Sequence, residues 1–161
     1  MPAPKIVLNA SPLILLCNGE LEFILPAVFT EIVAPTAVWR EITAGPAADR
    51  AAQLLPQLDW IRQESVEPAL AVIQWDLGVG ETEVLSFALK NRGYTPALDD
   101  MLAKKCARSL DIPTMGTGSI LILAKEHGLI NSVEDCLRRL QRIGLWISEP
   151  VIQMIKEQAG E

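Results

Sequence analysis

Short apolar runs that stop at an oxygen-bearing side chain, each followed by a helical pattern, set the architecture open to this chain. Residues 5–8 form such a run and end at Asn9, after which Ser11 and Pro12 open an apolar helical stretch, with Pro at an early helical position. Residues 31–34 form a second run before Pro35. Thr36 is then expected to cap a helix in which Val38, Trp39 and Ile42 share helical spacing beside Glu41. A break at Gly78-Val79-Gly80 precedes a buried helix over 81–91, carrying Val84, Leu85, Phe87 and Ala88, and Gly93 ends it. Residues 95–98 read as a buried strand that delivers Asp99 and Asp100 to a helix over 101–110. Parallel strands need crossover connections, so this alternation predicts an α/β fold: a short central parallel sheet in a three-layer α/β/α arrangement.

The remaining segments fit that plan. A helix is expected over 47–58, a strand over 60–66, a short helix over 68–75 and a strand over 113–115. Gly116 to Ser119 lead into a helix over 120–127, stopped by Gly128. Ser132 caps a helix running to 143, with Glu134 and Asp135 in its first turn. The stretch 151–160, with Ile152, Met154 and Ile155, covers the sheet, a second subunit or another partner. At 161 residues, the chain fits one domain over 1–161 that buries roughly 70% of its unfolded surface.

Half of the residues are hydrophobic and the mean hydropathy is +0.25, yet no apolar run reaches the roughly 18 residues of a membrane span. No apolar segment follows a basic stretch at the start, where Asn9, Ser11 and Pro12 interrupt the pattern, so a cytoplasmic location is expected. Cys17, Cys106 and Cys136 are odd in number and far apart, which reads as buried thiols. With one histidine, His127, at an expected helix end, neither a zinc cluster nor a Ser-His-Asp set can be assembled. The net charge of −6 argues against loose coating of nucleic acid, although not against a local basic groove. Arg138, Arg139 and Arg142 read as a solvated helix face.

Chemistry is left to Asn9, Glu41, Glu81, Asp99 and Asp100. In open parallel sheets ligands bind beyond the carboxyl ends of the strands, where Asn9, Asp99 and Asp100 fall. Oxygen donors of this kind suit magnesium or manganese, and a divalent cation there would support phosphodiester hydrolysis. Each acid taken singly also has an ordinary role: Glu81, Asp99 and Asp100 at helix starts, where negative charge is favoured, and Glu41 on a solvated face.

The segments IVLNASPLI (6–14), APTAVWREI (34–42), GETEV (80–84), LDD (98–100) and GTGS (116–119) together resemble PIN-domain proteins of the DUF3368 branch, in order and over nearly the whole chain. That resemblance implies a metal-dependent ribonuclease with Mg2+ or Mn2+ as cofactor, RNA as substrate and, as in VapC-like toxins, a small antitoxin as partner. It also assigns the acidic positions: Asn9 first, Glu41 second, Glu81 third, and Asp99 or Asp100 last. A PIN nuclease usually carries Asp where this chain has Asn9, which keeps an oxygen donor and loses a charge. Glu83, two positions beyond Glu81, would point elsewhere on the helix.

Ser11 and Thr117 fall near the same edge and can either bind a phosphate or serve as a cap and a turn residue. Lys104, Lys105 and Arg108 are either holders of the RNA backbone or a solvated face. The alternative to a nuclease is a catalytically weak PIN-like module that binds RNA or a protein. Four tryptophans, Trp39, Trp60, Trp75 and Trp146, either fill the core or mark an interface such as a homodimer.

Overall fold

Ile6, Val7 and Leu8 are completely buried, as a parallel strand covered on both faces must be. They belong to β1 (Lys5–Leu8), which lies inside a four-stranded sheet of order β3-β2-β1-β4. Its neighbours are β2 (Glu31–Pro35) and β4 (Tyr94–Ala97), with β3 (Arg62–Glu64) outside β2, and every pairing is parallel. The computed structural model describes residues 4–46 and 49–161. Over these residues the expected α/β class holds: helices flank an all-parallel sheet.

The helices are α1 (Ala10–Asn18), α2 (Ile24–Val28), α3 (Thr36–Thr43), α4 (Arg50–Leu54), α5 (Leu70–Ile73), α6 (Val79–Lys90), α7 (Met101–Ser109), α8 (Thr117–Glu126), α9 (Val133–Arg142) and α10 (Glu149–Gln158). α6 packs on β1, β2 and β4, and against α3; α2 packs on β2 and α8, and α8 in turn on α9 and α10. The buried apolar residues form one cluster from Ile6 to Ile152. Burial of this kind is worth about 1.5–3 kcal/mol for each large aliphatic side chain, which offsets the entropy of ordering the crossovers. All three cysteines are free and buried, and burial pushes the Cys17 thiol up to about 12, with Glu22 adding to the shift and Arg50 opposing it.

Several expectations are corrected. The strand expected over 60–66 shrinks to β3 because its partner supplies only the register Val33↔Arg62 to Pro35↔Glu64, and Pro35 carries no N–H to extend it. The strand expected over 113–115 is a single bridge, Met115 to Ala97, since Pro113 has no donor and α8 begins at Thr117. Of the helix expected over 47–58, Ala47 and Ala48 lie outside the described residues; the rest is α4 followed by a 3₁₀ turn at Leu55–Gln57, where Pro56 interrupts the α-helical hydrogen bonding. α2 had no counterpart among the expected elements, whereas α10 falls where a C-terminal helix packing on the domain or on a partner was expected. Ile152 of α10 is fully buried in the chain's own core, while Val151 and Met154 of the same stretch stay exposed.

Thr36 does not cap α3. Its hydroxyl donates to the carbonyl of Glu64, and the Ala37 N–H is taken by the Glu83 carboxylate at 3.0 Å. Glu83 is thus engaged by α3, although it lines one surface cavity together with Glu41 and Glu81. Ser132 does cap α9, accepting from the Asp135 N–H. Glu161 reinforces that cap by accepting from the N–H groups of Val133 and Glu134.

Candidate functional site

The chain moves outward from β1 through β2 to β3, then returns to lay β4 on the other side of β1. The crevice between β1 and β4 is therefore the point where the strand order reverses, the usual place for a ligand in an open parallel sheet. Leu8 is in register with Ala97, and the Asn9 N–H continues the ladder to the Ala97 carbonyl at 3.2 Å. Asn9 and Asp99 accordingly leave the carboxyl ends of adjacent strands.

Asn9, Glu41 and Glu81 line one cavity of about 430 Å³, together with Ser11 and Gly144. Asn9 is 3% exposed; its Nδ2 donates to Glu81 Oε1 at 3.2 Å, while its Oδ1 has no partner. Only the NH2 of an amide can donate to a carboxylate, so the chemistry orients this side chain with Oδ1 free. A buried carbonyl without a donor is costly unless something else meets it.

Gly80 marks the space in front of it. A Cβ there would lie 3.2 Å from Asn9 Oδ1 and 3.8 Å from Glu41 Oε2. The sequence reads Gly80 as part of a break, yet it sits inside the first turn of α6, where alanine is ordinarily the better helix former. Its missing side chain leaves a cradle between an amide oxygen and a carboxylate. Glu41 is exposed over much of its surface, but partial burial of its carboxyl, and then the charge of Glu81, raises its pKa.

Asp99 is held separately. Its two oxygens accept the backbone N–H of Thr117 at 2.9 Å and the Thr117 hydroxyl at 2.6 Å. Thr117 is 1% exposed and gives both donors to Asp99, which makes it a positioning residue. Asp100, left level with Asp99 by the sequence, turns the other way and caps α7 by accepting from the Ala103 N–H at 2.9 Å. Asp99 opens on a second groove, of about 440 Å³, lined also by Lys104, Gly116, Ser119 and Trp146. Lys105 and Arg108 are exposed along α7.

Among the described residues, no three Asp, Glu, His or Cys side chains meet closely enough to enclose a metal ion by themselves. The group lining the Asn9 cavity is two carboxylates and an amide carbonyl. Its hard oxygen donors and its orphaned Oδ1 fit a divalent cation that keeps several waters.

A family model described as PIN domain, DUF3368, matches residues 5–161. The chain belongs to the PIN-domain family. No curated protein matches it, and neither does any solved structure. PIN domains are nuclease-type modules that act on RNA or DNA and usually use divalent metal ions. In this PIN domain no helix among the described residues is long and apolar enough to cross a membrane.

Other residues of this PIN domain fall to structural roles. Arg138 pairs with Glu149 and Glu134, and Arg139 donates to the Gly19 carbonyl at 2.8 Å, so this cluster fastens helices together. His127 ends α8 with Nδ1 2.8 Å from the Leu123 carbonyl, which can only accept and so fixes the proton on Nδ1. Sequence reasoning missed the roles of Gly80 and Glu161; a glycine one residue before an acid in a helical first turn was the available signal for the first.

Proposed function

We propose that this PIN domain is a magnesium- or manganese-dependent endoribonuclease directed at single-stranded RNA. On the same reading it is the toxin of a type II toxin–antitoxin pair, acts in the cytoplasm and is held in check by a small antitoxin. The observation that carries the reading is the unpartnered Asn9 Oδ1, buried beside Glu41 and Glu81 at the end of β1 with a glycine cradle before it.

Asn9, Glu41 and Glu81 would hold the cation, with Asp99 providing a fixed negative charge at the neighbouring strand end. A bound divalent cation supplies the Lewis acidity that phosphodiester hydrolysis needs. Thr117 keeps Asp99 in one orientation through two hydrogen bonds. Ser11 lines the Asn9 cavity, where it would hydrogen-bond a phosphate, while Lys104 on the neighbouring groove and Lys105 on the exposed face of α7 would hold the backbone of the strand. The whole of 1–161 acts as one PIN unit, and Asp100 serves the site through its cap on α7.

The test is cleavage of a mixed structured and single-stranded RNA pool, with manganese or with chelator, by the natural protein and by Glu81→Gln. Cutting that requires the metal and disappears in the variant is the expected result. Equal cutting by both proteins would remove Glu81 from the machinery and sink the reading.

One observation favours a second reading, a catalytically weak module that binds RNA or a protein. The Asn9 amide ties one oxygen of Glu81 and contributes no charge of its own. Under that reading the natural protein leaves RNA intact and Asn9→Asp gains metal-dependent cutting.

A further inference from the structure

Trp146 is 95% exposed, while Trp39, Trp60 and Trp75 pack against the core. It stands between α9 and α10 on the groove that begins at Asp99, and Met101, 67% exposed, lines the same groove. The opposite side of that groove carries a charge. A Cβ on Gly116 would lie 3.0 Å from Asp99 Oδ1 and 3.4 Å from Lys104 Nζ, which places the ammonium beside the acid that ends β4.

Met101, Lys104, Lys105 and Arg108 recur at i, i+3, i+4 and i+7 in α7, so they share one helix face. Among the described residues, none of the three cations forms an ion pair, although the chain has a net charge of −6. An open aromatic plate at the head of a track of unpaired cations is the combination that holds single-stranded nucleic acid: the ring stacks a base of any sequence and the cations follow its phosphates. A groove built only for an apolar peptide has no use for that track.

We propose that this groove is a base-stacking subsite for single-stranded RNA, in which Trp146 holds one base and Lys104 the adjoining phosphate, while Lys105 and Arg108 continue the track along the exposed face of α7 outside the groove. The subsite fixes the register of the strand and so decides which phosphodiester lies at the Asn9–Asp99 edge. It rests on the ribonuclease reading for its ligand and extends it to the choice of bond.

Binding of a short fluorescein-labelled single-stranded RNA, measured by anisotropy in chelator, tests it without interference from cleavage. Trp146→Ala is expected to weaken binding about ten-fold, with Trp146→Phe losing much less, because stacking is worth that much for each base. The thermal midpoint should not move, since the indole is almost wholly in solvent. Trp146→Ala binding as tightly as the natural protein overturns the subsite. So does failure of the natural protein to bind the RNA, which would leave the groove to a protein partner.

Cleavage with manganese keeps the two readings apart. Cutting by the natural protein combined with binding indifferent to Trp146 retains the nuclease and removes the subsite. Trp146-dependent binding without any cutting retains the subsite and removes the nuclease.

Discussion

Asn9 and Glu81, 72 residues apart, are joined side chain to side chain at 3.2 Å, which ties the end of β1 to the first turn of α6. The bond fixes Glu81 and leaves the other end of the amide, Oδ1, buried and unpartnered. Structure and chemistry meet here, because the group that holds the acid in place also offers it a neighbouring donor oxygen.

Replacing Asn9 by Asp removes the donor and sets a second negative charge against Glu81. In chelator the variant should be less stable by about 1–3 kcal/mol, the range for a buried polar group left without its partner. Manganese should restore more stability to Asn9→Asp than to the natural protein. Thermal melts of both proteins with and without the metal measure this; an Asn9→Asp midpoint that ignores manganese would mean that position 9 does not face a cation.

Gly80→Ala separates the cradle from the fold. Alanine favours a helix by about 0.8–1 kcal/mol over glycine, but its methyl would sit 3.2 Å from Asn9 Oδ1. The variant should fold and melt near the natural temperature while losing manganese-induced stabilisation and RNA cutting by ten-fold or more. Full metal response in Gly80→Ala would show that the space in front of Asn9 is not used.

The raised pKa of Glu41 has a definite sign. Partial burial and the charge of Glu81 disfavour its ionised form in the folded state, so the folded protein carries a cost above the raised value. That cost vanishes below the unfolded value of 4.5. Glu41→Gln should therefore be more stable than the natural protein at pH 7, and the gap should close as the pH falls below about 4. Urea melts across that range check it, and RNA cutting by Glu41→Gln should fall strongly at the same time. A gap that widens toward acid pH would contradict the placement of this carboxyl.

Glu161 behaves in the opposite way. Burial alone would raise its pKa, but hydrogen bonds from Lys125 and from the N–H groups of Val133 and Glu134 outweigh it and bring the value to about 2. Its contribution is present above the ordinary value of 4.5 and is lost as the pH falls through about 2. Glu161→Gln should cost about 1 kcal/mol at pH 7, the usual worth of a helix cap, and progressively less as the pH falls from 4.5 toward about 2. Denaturant unfolding across that range decides it, and RNA cutting should be unaffected.

Local rules carried much of the fold. β1 was legible because an unbroken apolar run, Ile6 to Leu8, ends at a polar residue, and α9 because Ser132 and the acids after it announce a helix start. β3 and the Met115 bridge were overestimated because the length of a strand depends on how many residues its neighbour offers, and Pro35 and Pro113 set that limit from outside the local pattern. The cap of α3 could not be read locally at all: the acceptor, Glu83, lies 46 positions from Ala37.

The same division holds for the candidate site. The sequence by itself determined the class of fold and the candidate oxygen donors, Asn9 and Asp99 after strands and Glu41 and Glu81 on helices, since these follow from hydrophobic period and from residue chemistry. Only the tertiary structure decided that Asn9, Glu41 and Glu81 share a cavity, that Asp99 is gripped by Thr117 while Asp100 turns to cap α7, and that Trp146 is left in water. The reason is physical. Hydrophobic period is a property of neighbouring residues, whereas the direction of a carboxylate or an indole is set by hydrogen bonds and packing against elements far away in the chain.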